Sequence, residues 1–112
     1  FHCLDIAVAD LPLGDCAIVR QVLQHLSNAE VQAIVNKLVN FKYLILTEHL
    51  PKVDFIPNKD IISGQGIRLK KKSGINLLVP PFNLKVKEEK QLIAYYLEPD
   101  KGVLVTTLYV LF

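Results

Sequence analysis

The sequence predicts an α/β fold in which a mostly parallel sheet ends in an antiparallel hairpin. Residues 16–19 and 43–48 are short runs dominated by apolar side chains, as expected for parallel strands that are covered on both faces. A helical pattern lies between these runs, so strand, helix and strand form one βαβ unit. Residues 91–97 and 102–112 are rich in Val, Tyr and Thr and flank a turn-forming segment, and this arrangement predicts the hairpin.

The helix of the βαβ unit is predicted to begin at Ser27. Ser27 and Glu30 have the spacing of a capping box, in which the N-cap hydroxyl and the acid three positions later satisfy backbone donors. The apolar residues that follow recur at i, i+3, i+4 and i+7: Val31, Ile34, Val35 and Leu38. We therefore expect a helix of about 12 residues with one apolar face.

Two further parts of the chain complete the predicted element order. Residues 1–8 predict a strand, which Pro12 and Gly14 end in a turn. Residues 49–82 contain four prolines and three glycines and show no sustained period, so they predict a long irregular region. A loop of this length in a compact domain is often functional, with packed connecting structure as the alternative.

Composition and charge narrow the class of protein. A chain of 112 residues with 51% hydrophobic residues supplies one packed core, so residues 1–112 are predicted to form a single domain. The net charge of +2 gives no reason to expect a nucleic-acid partner, and the basic run at residues 70–72 has the character of a solvated loop. No apolar run approaches the roughly 18 residues that a membrane helix needs, so no membrane association is expected.

The cysteines and histidines predict a reduced, cytoplasmic setting and no metal site. Cys3 and Cys16 lie in apolar stretches and do not form a CxxC pair, so each thiol is expected to behave as a small buried hydrophobe. The three histidines are widely separated in the sequence, and isolated histidines are usually structural.

The familiar catalytic motifs are absent, so candidate site residues can be chosen only from their positions in the predicted sheet. The chain contains no GxGxxG, Walker loop, GxSxG or HExxH sequence. In an open α/β sheet, ligands bind outside the carboxyl ends of the strands, so the residues just beyond each predicted strand are the candidates. They are Asp5 with Ile6, Arg20 with Gln21, and Glu48 with His49. A structural role is the alternative for each of them, such as an ion pair between Arg20 and Glu48.

Residues 15–27 and 43–49 resemble a known pair of strands. The first segment contains an Asp that opens a strand and then the pattern R-x-V-L-x-H-L, and the second ends in Thr-Glu-His. The combination resembles the fourth and fifth strands of class I S-adenosylmethionine-dependent methyltransferases, whose Rossmann-like sheet has the strand order 3-2-1-4-5-7-6. In element order the resemblance covers nearly the whole chain, so the chain would correspond to the domain from about the third strand onward.

This resemblance implies a sheet that is incomplete at its amino-terminal side. The first two strands and the glycine-rich loop of the family have no counterpart in the sequence, and the third strand would lack its neighbours. Unpaired backbone groups are rarely tolerated in a folded interior. The chain is therefore expected to belong to a longer polypeptide, or to receive the missing strands from a partner.

The resemblance also implies a cofactor, S-adenosylmethionine, and the residues that hold it. Asp5 and Ile6 match the positions that contact the adenine, while Arg20 and Gln21 match those beside the methionine part and the transferring methyl group. The implied reaction is methyl transfer, for which a protein aligns an acceptor, excludes water and removes a proton where the acceptor requires it.

A small organic molecule is the expected methyl acceptor. Its contacts are predicted at Glu48, and at Phe82 and Asn83 in the segment that follows two consecutive prolines. His49 is the expected catalytic proton acceptor on chemical grounds.

Two other functions are compatible with the same sequence. One is a non-catalytic methyltransferase-like remnant that serves as a scaffold or interaction domain. The other is a response-regulator-like module, which needs a phosphoacceptor Asp and a Lys after a later strand, and Asp5 with Lys52 imitates that pair poorly. In each case the apolar residues 103–112 would provide a core strand or a contact in a homo-oligomer.

Overall fold

The computed structural model describes residues 14–64, 66–97 and 101–112. Its elements are the strands β1 (Cys16–Arg20), β2 (Tyr43–Leu50), β3 (Glu88–Tyr96) and β4 (Val103–Val110), the helix α1 (Asn28–Leu38), and two short 3-10 turns at Leu23–His25 and Arg68–Lys71. The strand predicted at residues 1–8, together with Cys3, Asp5 and Ile6, lies outside the described residues.

The strands form one mixed sheet in the order β1-β2-β4-β3. β1 and β2 are parallel, whereas β4 is antiparallel to both β2 and β3. The predicted Rossmann-like, mostly parallel sheet is therefore wrong. Because β4 is inserted between two strands that run opposite to it, it contributes two antiparallel ladders and leaves a single parallel one. The described residues thus form a small α/β structure with one mixed sheet and one α-helix.

The two carboxyl-terminal strands pair as an antiparallel hairpin, at the place where the sequence predicts one. β3 begins at Glu88, earlier than expected, because the polar residues at its start pair through their backbone with β4. A β-bulge between Gln91 and Ile93 shifts the register. Most β3 side chains are exposed, as expected for an edge strand whose stability comes mainly from its ladder with β4.

The hydrophobic core lies between α1, one face of the sheet and the segment of residues 75–84. Alternation along β2 directs Leu44, Leu46 and Glu48 to this face, because successive side chains of a strand point to opposite sides. The apolar stripe of α1 covers them as predicted, with Val31, Ile34, Val35 and Leu38 all buried. Glu48 is therefore a carboxyl group at the end of an apolar row, and this placement dominates its chemistry.

The amino terminus of α1 is capped partly as predicted. The Ser27 hydroxyl accepts a hydrogen bond from the backbone N–H of Glu30 at 3.3 Å. The Glu30 carboxylate does not return to Ser27 directly, because the Ser63 hydroxyl lies between them: it accepts from the Ser27 N–H at 2.8 Å and donates to Glu30. The long loop therefore completes the capping box.

Replacing Ser27 by Ala is expected to lower the free energy of unfolding by about 1 kcal/mol, the usual loss for an N-cap hydroxyl. Urea unfolding followed by circular dichroism would measure it. Ser27→Asp keeps an oxygen acceptor at the same position and is expected to retain most of the stability. Equal losses of stability in the two variants would show that the oxygen acceptor at position 27 does not stabilise the helix.

Much of the long irregular region is packed connecting structure. Asn58 is 6% exposed, with a φ of 60°, and its side chain joins two distant stretches of the loop. Its amide nitrogen donates to the carbonyls of Asn76 at 2.7 Å and Pro80 at 2.9 Å, and its oxygen accepts from the Asn76 N–H at 2.8 Å. Residues 58–80 are therefore held by buried polar contacts in addition to the apolar packing of Ile75 and Leu77.

Cys16 is exposed, so the prediction of a buried thiol at this position is wrong. β1 has one ladder partner among the described residues, and only Val19 of its five side chains is buried. Helices within the described ranges are all too short, or too polar, to cross a bilayer.

Candidate functional site

The carboxyl ends of the two parallel strands lie side by side and form what we call the strand-end rim, residues 20–26 and 47–51. Arg20 is opposite Thr47 in the ladder, and the Gln21 backbone N–H donates to the Thr47 carbonyl at 2.8 Å. Gln21 then adopts a φ of 52°, a left-handed conformation that turns the chain sharply out of the sheet. The structure therefore brings Arg20, Gln21 and Glu48 to one end of the sheet. Glu48 and His49 lie within β2, which continues to Leu50, and not just beyond the strand as predicted.

The Glu48 side chain is buried beneath this rim. It is 3% exposed, and neither carboxyl oxygen has a hydrogen bond of normal geometry among the described residues, although the backbone of Gln24 and Leu23 lies close enough to favour the charged form. Burial raises the pKa of Glu48 to about 8, an effect that the backbone of Gln24 and Leu23 and the charge of Arg68 oppose only in part. The group is thus mostly protonated at neutral pH, and it carries a proton in a range where small changes of surroundings alter its charge.

Arg68 is buried against the turn that follows β1, which is one part of the rim. Its side chain is 1% exposed, and its guanidinium donates to backbone carbonyls of the first 3-10 turn and to the start of α1. The acceptors and distances are Leu23 O at 3.3 Å, Gln24 O at 3.3 Å, Leu26 O at 2.7 Å and Asn28 Oδ1 at 2.6 Å. Burial lowers the pKa of Arg68, but the group remains a cation. Arg68 therefore fixes the turn that follows β1.

His49 is hydrogen-bonded at two positions. Its backbone N–H donates to Gln24 Oε1 at 2.8 Å, which ties the end of β2 to the turn after β1. Its ring Nε2 bonds to the Lys101 carbonyl. Because a carbonyl oxygen only accepts, Nε2 must carry the proton, and Nδ1 is the ring nitrogen with a free lone pair. Any proton acceptance by neutral His49 would therefore occur at Nδ1.

Phe82 and Asn83, the other predicted substrate contacts, are placed differently. Phe82 is 6% exposed and belongs to the hydrophobic core. Asn83 is exposed, with a φ of 47°, just after the cis peptide bond that joins Pro80 and Pro81. The hydrogen bonds of this segment run to its own backbone, at Val79 and Leu77. The structure describes no contact that joins Phe82 or Asn83 to the strand-end rim.

Two cavities border residues 51–55, the segment that follows β2. Their volumes are about 780 Å³ and about 380 Å³. Residues 51–55 contribute to the walls of both, so the two cavities adjoin. Ligand pockets in proteins span a similar range of volumes, and these two therefore provide space for a small molecule beside the ends of the strands.

Family models, curated proteins and solved structures give no match to this chain. The geometry described above is therefore the basis for any functional assignment. Within the described ranges, no three His, Cys, Asp or Glu side chains are grouped as metal ligands would be.

Sequence reasoning missed Arg68 and Gln24, the two residues that organise the rim. Arg68 stands beside the basic run of residues 70–72 and has the pattern of an exposed cation. Gln24 lies in a segment with helical spacing and has no distinguishing neighbour. Their roles depend on partners more than 20 positions away, a separation that no local pattern reports.

Proposed function

We propose that this chain takes part in methyl transfer from S-adenosylmethionine to a small-molecule acceptor, as the carboxyl-terminal part of a class I methyltransferase. The observation that carries the proposal is the strand-end rim. Two parallel strands present Arg20 and Gln21 beside Thr47 and Glu48, at the end of the sheet where α/β proteins bind ligands.

The order of the strands supports the proposal. β1 and β2 are adjacent and parallel, and β4 is inserted between β2 and β3 in the opposite direction. The four positions coincide with the last four, 4-5-7-6, of the order that the sequence resemblance implies. This agreement in strand order supports the proposal together with the sequence motif.

The described residues fit one portion of the cofactor. Arg20 is exposed at the end of β1, where a guanidinium can bind the carboxylate of the methionine portion, and the neighbouring amide of Gln21 supplies a second donor. Asp5 and Ile6, the proposed adenine contacts, lie outside the described residues. When bound, the cofactor supplies a methyl group that the positive charge on sulfur has already activated.

The chain's own residues then have to orient an acceptor and manage its proton. His49 presents Nδ1 as a proton acceptor while Nε2 is held by the Lys101 carbonyl, and this bond orients the ring. Glu48 lies beneath the rim. Because its buried carboxyl is mostly protonated at neutral pH, it adds little negative charge next to the site. The cavities beyond residue 50 provide the space for the acceptor.

The test is a calorimetric titration of S-adenosylhomocysteine into the 112-residue chain and into the full product of its gene. Arg20→Gln is expected to weaken binding by about tenfold or more, because a charge-assisted hydrogen bond to the ligand carboxylate is lost. Lys90→Gln is the matched control: it removes an exposed positive charge on β3, away from the rim, and is expected to leave the affinity unchanged.

Binding by neither protein would overturn the proposal and favour a methyltransferase-like scaffold without a cofactor. Equal affinities for the Arg20→Gln variant and the parent would remove Arg20 from the cofactor site. Binding by the full gene product alone supports the proposal and assigns the remaining cofactor contacts to residues outside this chain.

A further inference from the structure

The smaller cavity beside the strand-end rim combines apolar walls with an excess of positive charge. Its volume is about 380 Å³, and Phe55 and Leu69 are among its apolar walls. Its charged residues are Lys52, Lys72 and Asp54, which leave one net positive charge at neutral pH. A cavity of this size at the small end of the range for ligand pockets accommodates a small molecule, and not an extended chain.

Lys72 is the C-cap of the second 3-10 turn, and its backbone N–H donates to the carbonyls of Arg68 and Leu69. It ends the second 3-10 turn with a φ of 55° and ψ of 45°, a left-handed conformation that costs a residue with a Cβ about 1 kcal/mol or more. In the described part of the chain its ammonium group has no hydrogen-bond or ion partner. Its neighbour Lys71, by contrast, donates to the Asp60 carbonyl at 2.7 Å. Lys72 is exposed, so its ammonium group is solvated and available to an anion that enters the cavity.

Lys52 borders the cavity from the other side. Its Nζ lies 5.9 Å from the centroid of the Tyr96 ring, which holds the side chain by a cation–π contact but leaves the ammonium able to donate hydrogen bonds. The adjoining wall at Gly102 has a φ of 83°, and a Cβ there would collide with the Leu50 carbonyl. A residue with a side chain at position 102 would therefore displace the end of β2, which borders the cavity.

We infer that the smaller cavity binds a small organic carboxylate, with its carboxylate between Lys52 and Lys72 and its apolar part against Phe55 and Leu69. A monoanion matches the net charge of the wall, whereas a phosphate dianion would leave one negative charge unbalanced. The identification of this carboxylate as the methyl acceptor rests on the function proposed above. The binding site itself does not, because it is built entirely from residues 51–55, 69, 72 and 102.

Benzoate is a suitable probe, with benzamide as its neutral analogue and benzylammonium as its cationic one. Titration into the ¹⁵N-labelled chain without cofactor is expected to give saturable shifts at the amides of Leu69, Lys72 and Gly102, with a Kd on the order of 1 mM. Benzamide should bind at least about fivefold more weakly, and benzylammonium should give no saturable shifts.

Lys72→Gly is the decisive variant. Glycine accepts the left-handed backbone without strain, so the fold is retained while the cation is lost, and benzoate affinity is expected to fall at least about fivefold. Lys72→Arg keeps the charge and is expected to keep the affinity. Lys70→Gly, one of the exposed positions of the same 3-10 turn, serves as the control for loss of a basic side chain.

Three results would overturn the carboxylate site: no saturable benzoate shifts, equal binding of benzamide, or unchanged benzoate affinity in Lys72→Gly. Each is independent of the titration with S-adenosylhomocysteine. Benzoate binding together with no cofactor binding would keep the site and refute the methyltransferase proposal, and the opposite pair of results would refute only the site.

Discussion

Replacing Glu48 by Gln is expected to remove most of the pH dependence of stability between pH 5 and pH 8. Burial raises the pKa of Glu48 from 4.5 to about 8 in the folded chain. In this window the folded protein therefore keeps a proton that the unfolded chain has released. The free energy of unfolding should fall with rising pH by up to about 1.4 kcal/mol per unit, or roughly 3–4 kcal/mol over the window.

The sign follows from which state holds the proton. Because the folded pKa lies above the unfolded one, the stabilisation is fully present below pH 4.5 and is lost as the pH rises through about 8. Glu48→Gln has no proton to lose, so its unfolding free energy should be nearly constant over the same range. Urea unfolding at half-unit pH intervals would measure both slopes.

Glu88→Gln is the control for this experiment, because Glu88 is exposed at the start of β3 and its loss should leave the slope unchanged. A parent protein whose stability is flat between pH 5 and pH 8 would show that Glu48 ionises normally in the folded state. That result would also mean that its carboxyl finds partners that the described structure does not provide.

Replacing Arg68 by Met is expected to lower the free energy of unfolding by about 3–5 kcal/mol. The change leaves three buried backbone carbonyls, those of Leu23, Gln24 and Leu26, without the donor that Arg68 supplies, and each such loss is costly. It also removes the positive charge that favours ionised Glu48, so the pKa of Glu48 should rise further. Thermal and urea unfolding would measure the loss.

Lys70→Met is the matched control, since it removes an exposed cation from the same 3-10 turn and should change stability by no more than about 0.5 kcal/mol. Arg68→Lys retains the charge with fewer donors and is expected to be intermediate. Similar small effects for Arg68→Met and Lys70→Met would show that the turn after β1 does not depend on the guanidinium.

Local sequence patterns located the helix and strands well where residues close in the sequence determine the secondary structure. Ser27 and the apolar spacing of α1 located the helix, and the apolar run beginning at Tyr43 located β2. The direction of pairing was not predictable in the same way. β4 lies beside β2 because of contacts that span some 60 positions, and no short-range signal distinguishes that arrangement from a mostly parallel sheet.

The candidate site shows the same division. Reasoning from strand ends placed Arg20 and Gln21 at the same end of the sheet as Glu48, because parallel neighbours end at the same side of a sheet. It did not place Glu48 correctly within β2, which continues to Leu50. The burial of Phe82 could not be inferred, because an aromatic residue in a predicted loop is compatible with either a pocket wall or the hydrophobic core. Arg68 was missed because its acceptors lie 40 to 45 positions earlier in the chain.

The hydrogen bonds of Arg68 also have a consequence for the sequence in which parts of the chain are expected to fold. The stretch from Leu23 to Asn28 depends for its final backbone bonds on a side chain that follows it by at least 40 residues. α1 can begin to form from its own local sequence, but the turn before it can reach its native shape only after the intervening chain has folded back. The turn between β1 and α1, which borders the candidate site, is therefore expected to be among the last parts of the molecule to fold and among the first to unfold locally.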